Sequence, residues 1–166
     1  SKRAGTAVYA GSVGRDEFAS VLEGAATADG VTVHYSHTEA APTGTCAVLV
    51  HDKERSLVAN LGAANEYKID HLHTEEMQAV VRRARVFYSA GFFLTVCPQA
   101  MVEVGQHAAA EGKLYCTNLS APFLCSVFKD AMLSVLPYAD IVFGNESEAA
   151  AASPPSPRPR ARARGS

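Results

Sequence analysis

Asn145 and Glu148 stand three residues apart behind the apolar run Ile141-Val142-Phe143, in the stretch IVFGNESEAA. If a strand turns into a helix here, a carboxylate sits at the strand's carboxyl end. Such a carboxylate holds a divalent cation, directly or through water, beside a phosphate bound at the helix N-terminus. The same spacing is that of a capping box, in which Asn and Glu satisfy the first turn's backbone and do nothing else. Spacing alone leaves both readings open. Arg55 lies in or near a polar turn, HDKER. It is either a solvated turn residue or the arginine of a lid that closes over a charged substrate. Phe92, Phe93 and Phe123 each follow a predicted strand end, as core side chains or as a slot for a planar ring. His71 and His73 are two apart and share a face if that segment is a strand, but no third ligand stands near them in sequence, so no metal centre is expected there. GSVGRDEF has two glycines before a helix without the spacing of a phosphate-binding loop, and Asp16 reads as that helix's N-cap.

These residues need elements to carry them. GTAVYAGSVG reads as a strand, and RDEFASVLEGAA as a helix with Phe18, Val21, Leu22 and Ala25 on one stripe. VTVHYS alternates as a strand does, and TGTCAVLVHDKERSLVANLGAA reads as a hairpin about its polar turn. HTEEMQAVVRRA is a helix with Thr74 as N-cap. From Arg85 onward strands and helices alternate: RVFYSAGFF, CPQAMVEVGQHAAAEG, KLYCTNLS, APFLCSVFKDAMLSVL, ADIVFGN and ESEAAAA. Alternation with short connections predicts an α/β fold, a parallel sheet flanked by helices. Ligands of such sheets bind beyond the strands' carboxyl ends, which are here GFF, NLSAPF and FGNESE.

Composition narrows the class. The hydrophobic fraction of 48% suits a globular domain, and 166 residues suit one domain. The net charge of -2 gives no reason to expect a nucleic acid partner. Arg158, Arg160, Arg162 and Arg164 make a basic tail, and the rest is acidic. Residues 153–166, rich in Pro and Arg, are expected to be disordered. Cys46, Cys97, Cys116 and Cys125 form no C-x-x-C pair and read as free thiols of a reducing compartment. With no apolar run long enough to span a bilayer and no signal peptide, no membrane partner is expected, and the location is expected to be the cytoplasm, with the nucleus as the alternative.

Taken in order, AGSVGRDEF, PTGTCAVLVHDKERSLVANLGAANEYK, ARVFYSAGFFLTVCP, TNLSAPF and DIVFGNESEAA resemble the adenosine kinases of the ribokinase-like (PfkB) carbohydrate kinase family. The resemblance covers residues 4–150. It implies a ribokinase-like fold with a small hairpin lid at about 31–62, inside a partial kinase domain spanning 1–152. It implies transfer of the γ-phosphoryl of ATP to the 5′-hydroxyl of adenosine, giving AMP in purine salvage, with ATP as co-substrate and Mg²⁺ as cofactor. By that resemblance Arg55 is the lid arginine near the phosphates, and Leu57 and Ala59 cover the nucleoside. Phe93 and Phe123 line adenine. Asn118, Asn145 and Glu148 organise phosphate and Mg²⁺, Glu148 through water.

The sequence departs from the family in two places. The family's base is an aspartate in a Gly-x-Gly-Asp loop, and the 166 residues contain no such segment. The Gly-Gly-x-x-x-Asn segment that grips the ribose is also missing from them. The chain is therefore expected to correspond to the middle of such a kinase, incomplete at both ends, and to be inactive alone. The alternatives are a non-catalytic interaction or regulatory fragment that uses the arginine tail, and a related sugar kinase of the same family.

Overall fold

The computed structural model describes residues 5–153. Past Ser153, the tail expected to be disordered lies outside the described residues. The chain opens with strand β1 (Ala7–Val13), helix α1 (Glu17–Ala28) and strand β2 (Val31–His37), followed by β3 (Thr45–His51) and β4 (Glu54–Asn60). A 3-10 turn at Gly62–Glu66 leads to α2 (Ile69–Leu72) and α3 (Glu75–Arg83). The second half alternates: β5 (Val86–Ser89), α4 (Pro98–Ala110), β6 (Leu114–Asn118), α5 (Pro122–Val127), α6 (Lys129–Val135), β7 (Ile141–Phe143) and α7 (Glu146–Ala152).

The expected α/β architecture with parallel strands is present, divided among the described residues into separate sheets. β5, β6 and β7 form a parallel sheet in that order, and β1 pairs in parallel with β2. The hairpin β3–β4 is an antiparallel pair of its own. The lid expected at about 31–62 is thus shorter as a hairpin. Val31–His37 belongs to the first parallel pair, because its half-buried residues lie beside β1 and α1 rather than beside β3.

Local chemistry explains the element ends. Asp16 accepts a hydrogen bond from Ala19 N–H at 3.0 Å and starts α1. Thr74 accepts from Met77 N–H and starts α3, with Glu75 and Glu76 in its first turn. Lys113 closes the other end of α3. Its ammonium donates to the Arg82 carbonyl at 2.8 Å and lies over the Phe87 ring. Pro98 occupies the first turn of α4, where its missing N–H costs nothing.

Two expected elements are shorter than the sequence suggests. The strand read into RVFYSAGFF ends at Ser89, and Gly91–Thr95 winds into a 3-10 turn. The helix read through APFLCSVFKDAMLSVL breaks at Phe128, whose backbone leaves the helical region between α5 and α6.

β6 is the middle strand, and its Tyr115, Cys116 and Thr117 are all buried, as a strand covered on both faces requires. Around it lies the main core of Leu94, Met101, Ala108, Leu119, Leu124, Cys125, Met132 and Val135. A second cluster, Tyr67, Leu72, Met77, Val81, Cys97 and Ala100, packs α2 and α3 against the start of α4. Phe87, Phe93 and Val104 touch both clusters and join them.

Burial pushes the Tyr67 hydroxyl up to about 12, and the same ring meets His71 and Phe93 edge-on. Cys97, Cys116 and Cys125 are buried thiols, and Cys46 on β3 is exposed.

Leu124 has no exposed surface. Leu124→Ala is expected to lower stability by about 2–5 kcal/mol through lost burial and a residual cavity. Leu57→Ala, on the exposed hairpin, is expected to change it by no more than about 0.5 kcal/mol. Urea unfolding of the two variants makes the comparison.

Candidate functional site

The carboxyl ends of β5, β6 and β7 lie side by side because the three strands pair in parallel register, Ser89 opposite Thr117 and Asn118 opposite Phe143. Each strand is followed by a tight loop, and the loops are tied together. The Asn118 carboxamide oxygen accepts from Gly91 N–H at 2.7 Å and from the Ser120 hydroxyl at 2.8 Å. Leu119 N–H donates to the Phe143 carbonyl at 2.9 Å. Ser120 adopts a left-handed backbone, φ +62°, unusual for a residue other than glycine. Its hydroxyl bond to Asn118 compensates that conformation locally.

Gly91 is required here. A Cβ on it runs into the Asn118 carbonyl oxygen and comes within 3.0 Å of Ser120 Oγ. Gly144 approaches almost as closely, with a Cβ 2.9 Å from Leu119 Cδ1.

The Asn145–Glu148 pair forms the full capping box. Asn145 Oδ1 accepts from Glu148 N–H at 2.9 Å. Glu148 Oε2 accepts from Asn145 N–H at 3.1 Å, and Oε1 accepts from the Asn145 amide at 3.2 Å. The Glu148 side chain is buried although it sits on a short helix. Burial pushes the neighbouring Cys125 thiol up, and the Glu148 carboxylate pushes it the same way. The box fixes the Glu148 carboxylate in one orientation. Each of its oxygens takes one hydrogen bond from Asn145 and keeps acceptor capacity for water or a cation.

Phe92 and Phe123 face each other with ring centroids 6.0 Å apart, both about half exposed. Phe93 turns the other way and meets Tyr67 at 5.1 Å. The structure therefore pairs Phe123 with Phe92, while Phe93 supports from the core side.

Arg55, Leu57 and Ala59 alternate along β4, so they share one face of the hairpin with Val50, Val48 and Cys46 opposite them. Arg55 belongs to the strand, with the turn itself at Asp52-Lys53. Every residue of both hairpin strands is exposed. Among the described residues, no hydrogen bond, ion pair or ring contact joins this face to the strand ends. The structure thus gathers Phe123, Asn118, Asn145 and Glu148 and leaves the three hairpin residues apart.

His71 and His73 lie on α2 and at its end rather than on a strand. His71 Nδ1 pairs with the Tyr67 hydroxyl at 3.2 Å and His73 Nε2 with Glu103 at 2.8 Å. Among the described residues no group of three or more His, Cys, Asp or Glu side chains converges to hold a metal ion.

Sequence reasoning did not single out Gly91 or Ser120. Gly91 was open to detection as a glycine inside the carboxyl end of a predicted strand, where it marks a bend or a close backbone approach. The left-handed turn at Ser120 leaves no compositional trace.

The pfkB family carbohydrate kinase model matches residues 1–161. The chain is 54% identical over 145 residues to adenosine kinase 2 of Arabidopsis thaliana, covering 87% of the chain and 42% of that protein. It is 52% identical over 145 residues to the adenosine kinase of Dictyostelium discoideum, covering 87% of the chain and 43% of that protein. Its fold superposes on Anopheles gambiae adenosine kinase, solved in complex with P1,P4-di(adenosine-5) tetraphosphate. The TM-score is 0.87 and the identity 45%, over 90% of the chain and 45% of that structure. The chain spans about 42% of the length of the curated relatives it matches.

Two glycines separate a tight site from loose helix. Gly91→Ala is expected to destabilise by about 1–3 kcal/mol, because its Cβ meets backbone that cannot retreat. Gly24→Ala, inside α1 with open space around it, is expected to stabilise by about 0.5–1 kcal/mol. Thermal melts of both variants give the sign.

Proposed function

The chain belongs to the pfkB family of carbohydrate kinases, and from that premise we propose that it carries the nucleoside-facing part of an adenosine kinase. The reaction is transfer of the ATP γ-phosphoryl to the adenosine 5′-hydroxyl, giving AMP. One observation carries the reading. An exposed aromatic pair, an Asn-clamped loop and a fixed carboxylate stand together at the carboxyl ends of one parallel sheet, in a chain about half identical to adenosine kinases.

Each residue has a part in it. Phe123 and Phe92 offer flat apolar surface to a purine ring, with Phe93 behind them. The loops clamped by Asn118 hold this surface at a fixed distance from the Asn145–Glu148 corner. Leu57 and Ala59 cover the nucleoside when the hairpin closes, and Arg55 on the same face brings a positive charge to the phosphates. Closure excludes water and orients the hydroxyl, which is most of what phosphoryl transfer asks of a protein.

The fixed Glu148 carboxylate fits Mg²⁺ through water better than directly, since each oxygen already accepts one bond from Asn145 and, among the described residues, no group of three or more His, Cys, Asp or Glu side chains converges to hold the ion. Bound there, Mg²⁺ supplies charge neutralisation on the phosphates of ATP. The base that takes the 5′-hydroxyl proton is not carried by a Gly-x-Gly-Asp loop among these 166 residues.

Adenosine titrated into the chain is expected to bind, and Phe123→Ala to weaken binding by about tenfold, roughly 1.4 kcal/mol. Equal binding by wild type and variant contradicts the aromatic site. The purified 166-residue chain is expected to form no AMP from adenosine, ATP and Mg²⁺. Measurable AMP formation overturns the assignment of the base.

A further inference from the structure

The hairpin β3–β4 is held by its base. Above that base both strands are exposed along their whole length, and each packs chiefly on the other. A two-stranded ribbon with nothing beneath it has little stability or orientation of its own. Three segments meet where it joins the body: the corner Gly14-Arg15-Asp16 between β1 and α1, the incoming leg Pro42-Thr43-Gly44, and the outgoing leg Leu61-Gly62-Ala63.

Their backbones are cross-tied. Thr43 N–H donates to Asp16 Oδ2 at 2.7 Å. Gly14 N–H donates to the Thr43 hydroxyl oxygen at 2.9 Å. Ala63 N–H donates to the Pro42 carbonyl at 2.7 Å. No side chain fits between the segments. A Cβ on Gly14 stands 2.7 Å from Thr43 N, one on Gly44 stands 2.6 Å from the Leu61 carbonyl oxygen, and one on Gly62 collides with the Pro42 carbonyl oxygen. Thr43 is buried in the middle, although the strand that follows it is exposed.

Asp16 divides its carboxylate between two tasks. Oδ1 caps α1 through Ala19 N–H, and Oδ2 holds the incoming leg through Thr43 N–H. The hydroxyl and N–H of Thr43 together hold this carboxyl below its ordinary value, so at neutral pH it is a charged acceptor for both bonds.

We propose that Asp16 is the positioning residue of the lid: one carboxylate locks the hairpin's incoming leg to the first turn of α1 and so sets the angle at which Arg55, Leu57 and Ala59 stand over the site. The anchor is a property of the chain, and its bearing on catalysis rests on the lid reading above. A helix cap alone needs one oxygen. The second, shorter bond is the one that reaches across 27 residues of sequence to the hairpin.

Asp16→Asn tests this because it is isosteric. It leaves one acceptor for the Ala19 cap and puts an amide donor where Thr43 N–H needs an acceptor. In a Cys46→Ser background, spin labels at Ser56→Cys, on the far face of the hairpin, and at Ala109→Cys, exposed on α4, report the hairpin's orientation as a distance distribution. The expected result is a single narrow peak in the parent and loss of that peak in Asp16→Asn, with hydrogen exchange of α1 amides unchanged. A peak of unchanged position and width in Asp16→Asn overturns the proposal. So does equal loss of protection in α1 and the hairpin, which makes Asp16 a cap and nothing else. Should Asp16→Asn fail to fold, Asp16→Ser, which keeps one oxygen for the α1 cap and removes the second oxygen that Thr43 N–H uses, carries the same two readouts. Adenosine added to the parent reads the lid separately. A peak that does not move sinks the lid reading and leaves the anchor standing.

Discussion

The Asn118 carboxamide oxygen accepts two hydrogen bonds, from the Gly91 N–H and the Ser120 hydroxyl, and the candidate site is organised around that one atom. It lies at the end of the central strand, so it reaches the loop after β5 and the loop after β6 together. Phe92 follows Gly91, and Phe123 opens α5 a few residues past Ser120, so the clamp brings the two rings to 6.0 Å. The backbone bond from Leu119 to Phe143 then extends the same order to β7, where Gly144 and Glu148 close against Leu119 and Cys125. A half-buried carboxamide oxygen that accepts two hydrogen bonds keeps such loops in one arrangement, since leaving those donors unpaired costs more than the bonds contribute.

The core beneath explains why the clamp holds still. Tyr115 and Leu124, on β6 and α5, have no exposed surface. Elsewhere the apolar surface is open: Val86 and Tyr88 on β5, Ile141, Val142 and Phe143 on β7, and Val48, Leu49, Val50, Leu57 and Val58 on the hairpin are all exposed. The rigid part of the described chain is thus the middle strand with α4, α5 and α6. The hairpin takes its orientation from the backbone knot at Gly14, Thr43 and Gly62.

Much of this was legible in the sequence. Periodicity placed the strands and helices of the second half, because buried strands and amphipathic helices differ in repeat. Asp16, Thr74 and Asn145 were readable as caps, because capping depends on residue type at a fixed position. The extent of the hairpin was not readable: VTVHYS alternates equally well whether it pairs with β1 or with β3, and only tertiary pairing decides. The break at Phe128 has no proline or glycine to announce it. The Phe92-Phe93 choice was hidden for a similar reason, since two adjacent phenylalanines look alike until the turn at Gly91 sends one outward and one into the core. The role of Glu148 stayed double on purpose of chemistry: the capping box is fully formed, and the same geometry that caps α7 fixes the carboxylate that the family resemblance assigns to Mg²⁺.

The central claim is that the loops clamped by Asn118 form a nucleoside site. The most direct measurement is the backbone amide spectrum of the chain as adenosine is added. The account predicts shifts concentrated at Gly91, Phe92, Asn118, Ser120 and Phe123, with little change in the groove lined by Pro98, Val102, Glu103 and Ala131. Shifts centred on that groove, or none at saturating adenosine, would contradict it.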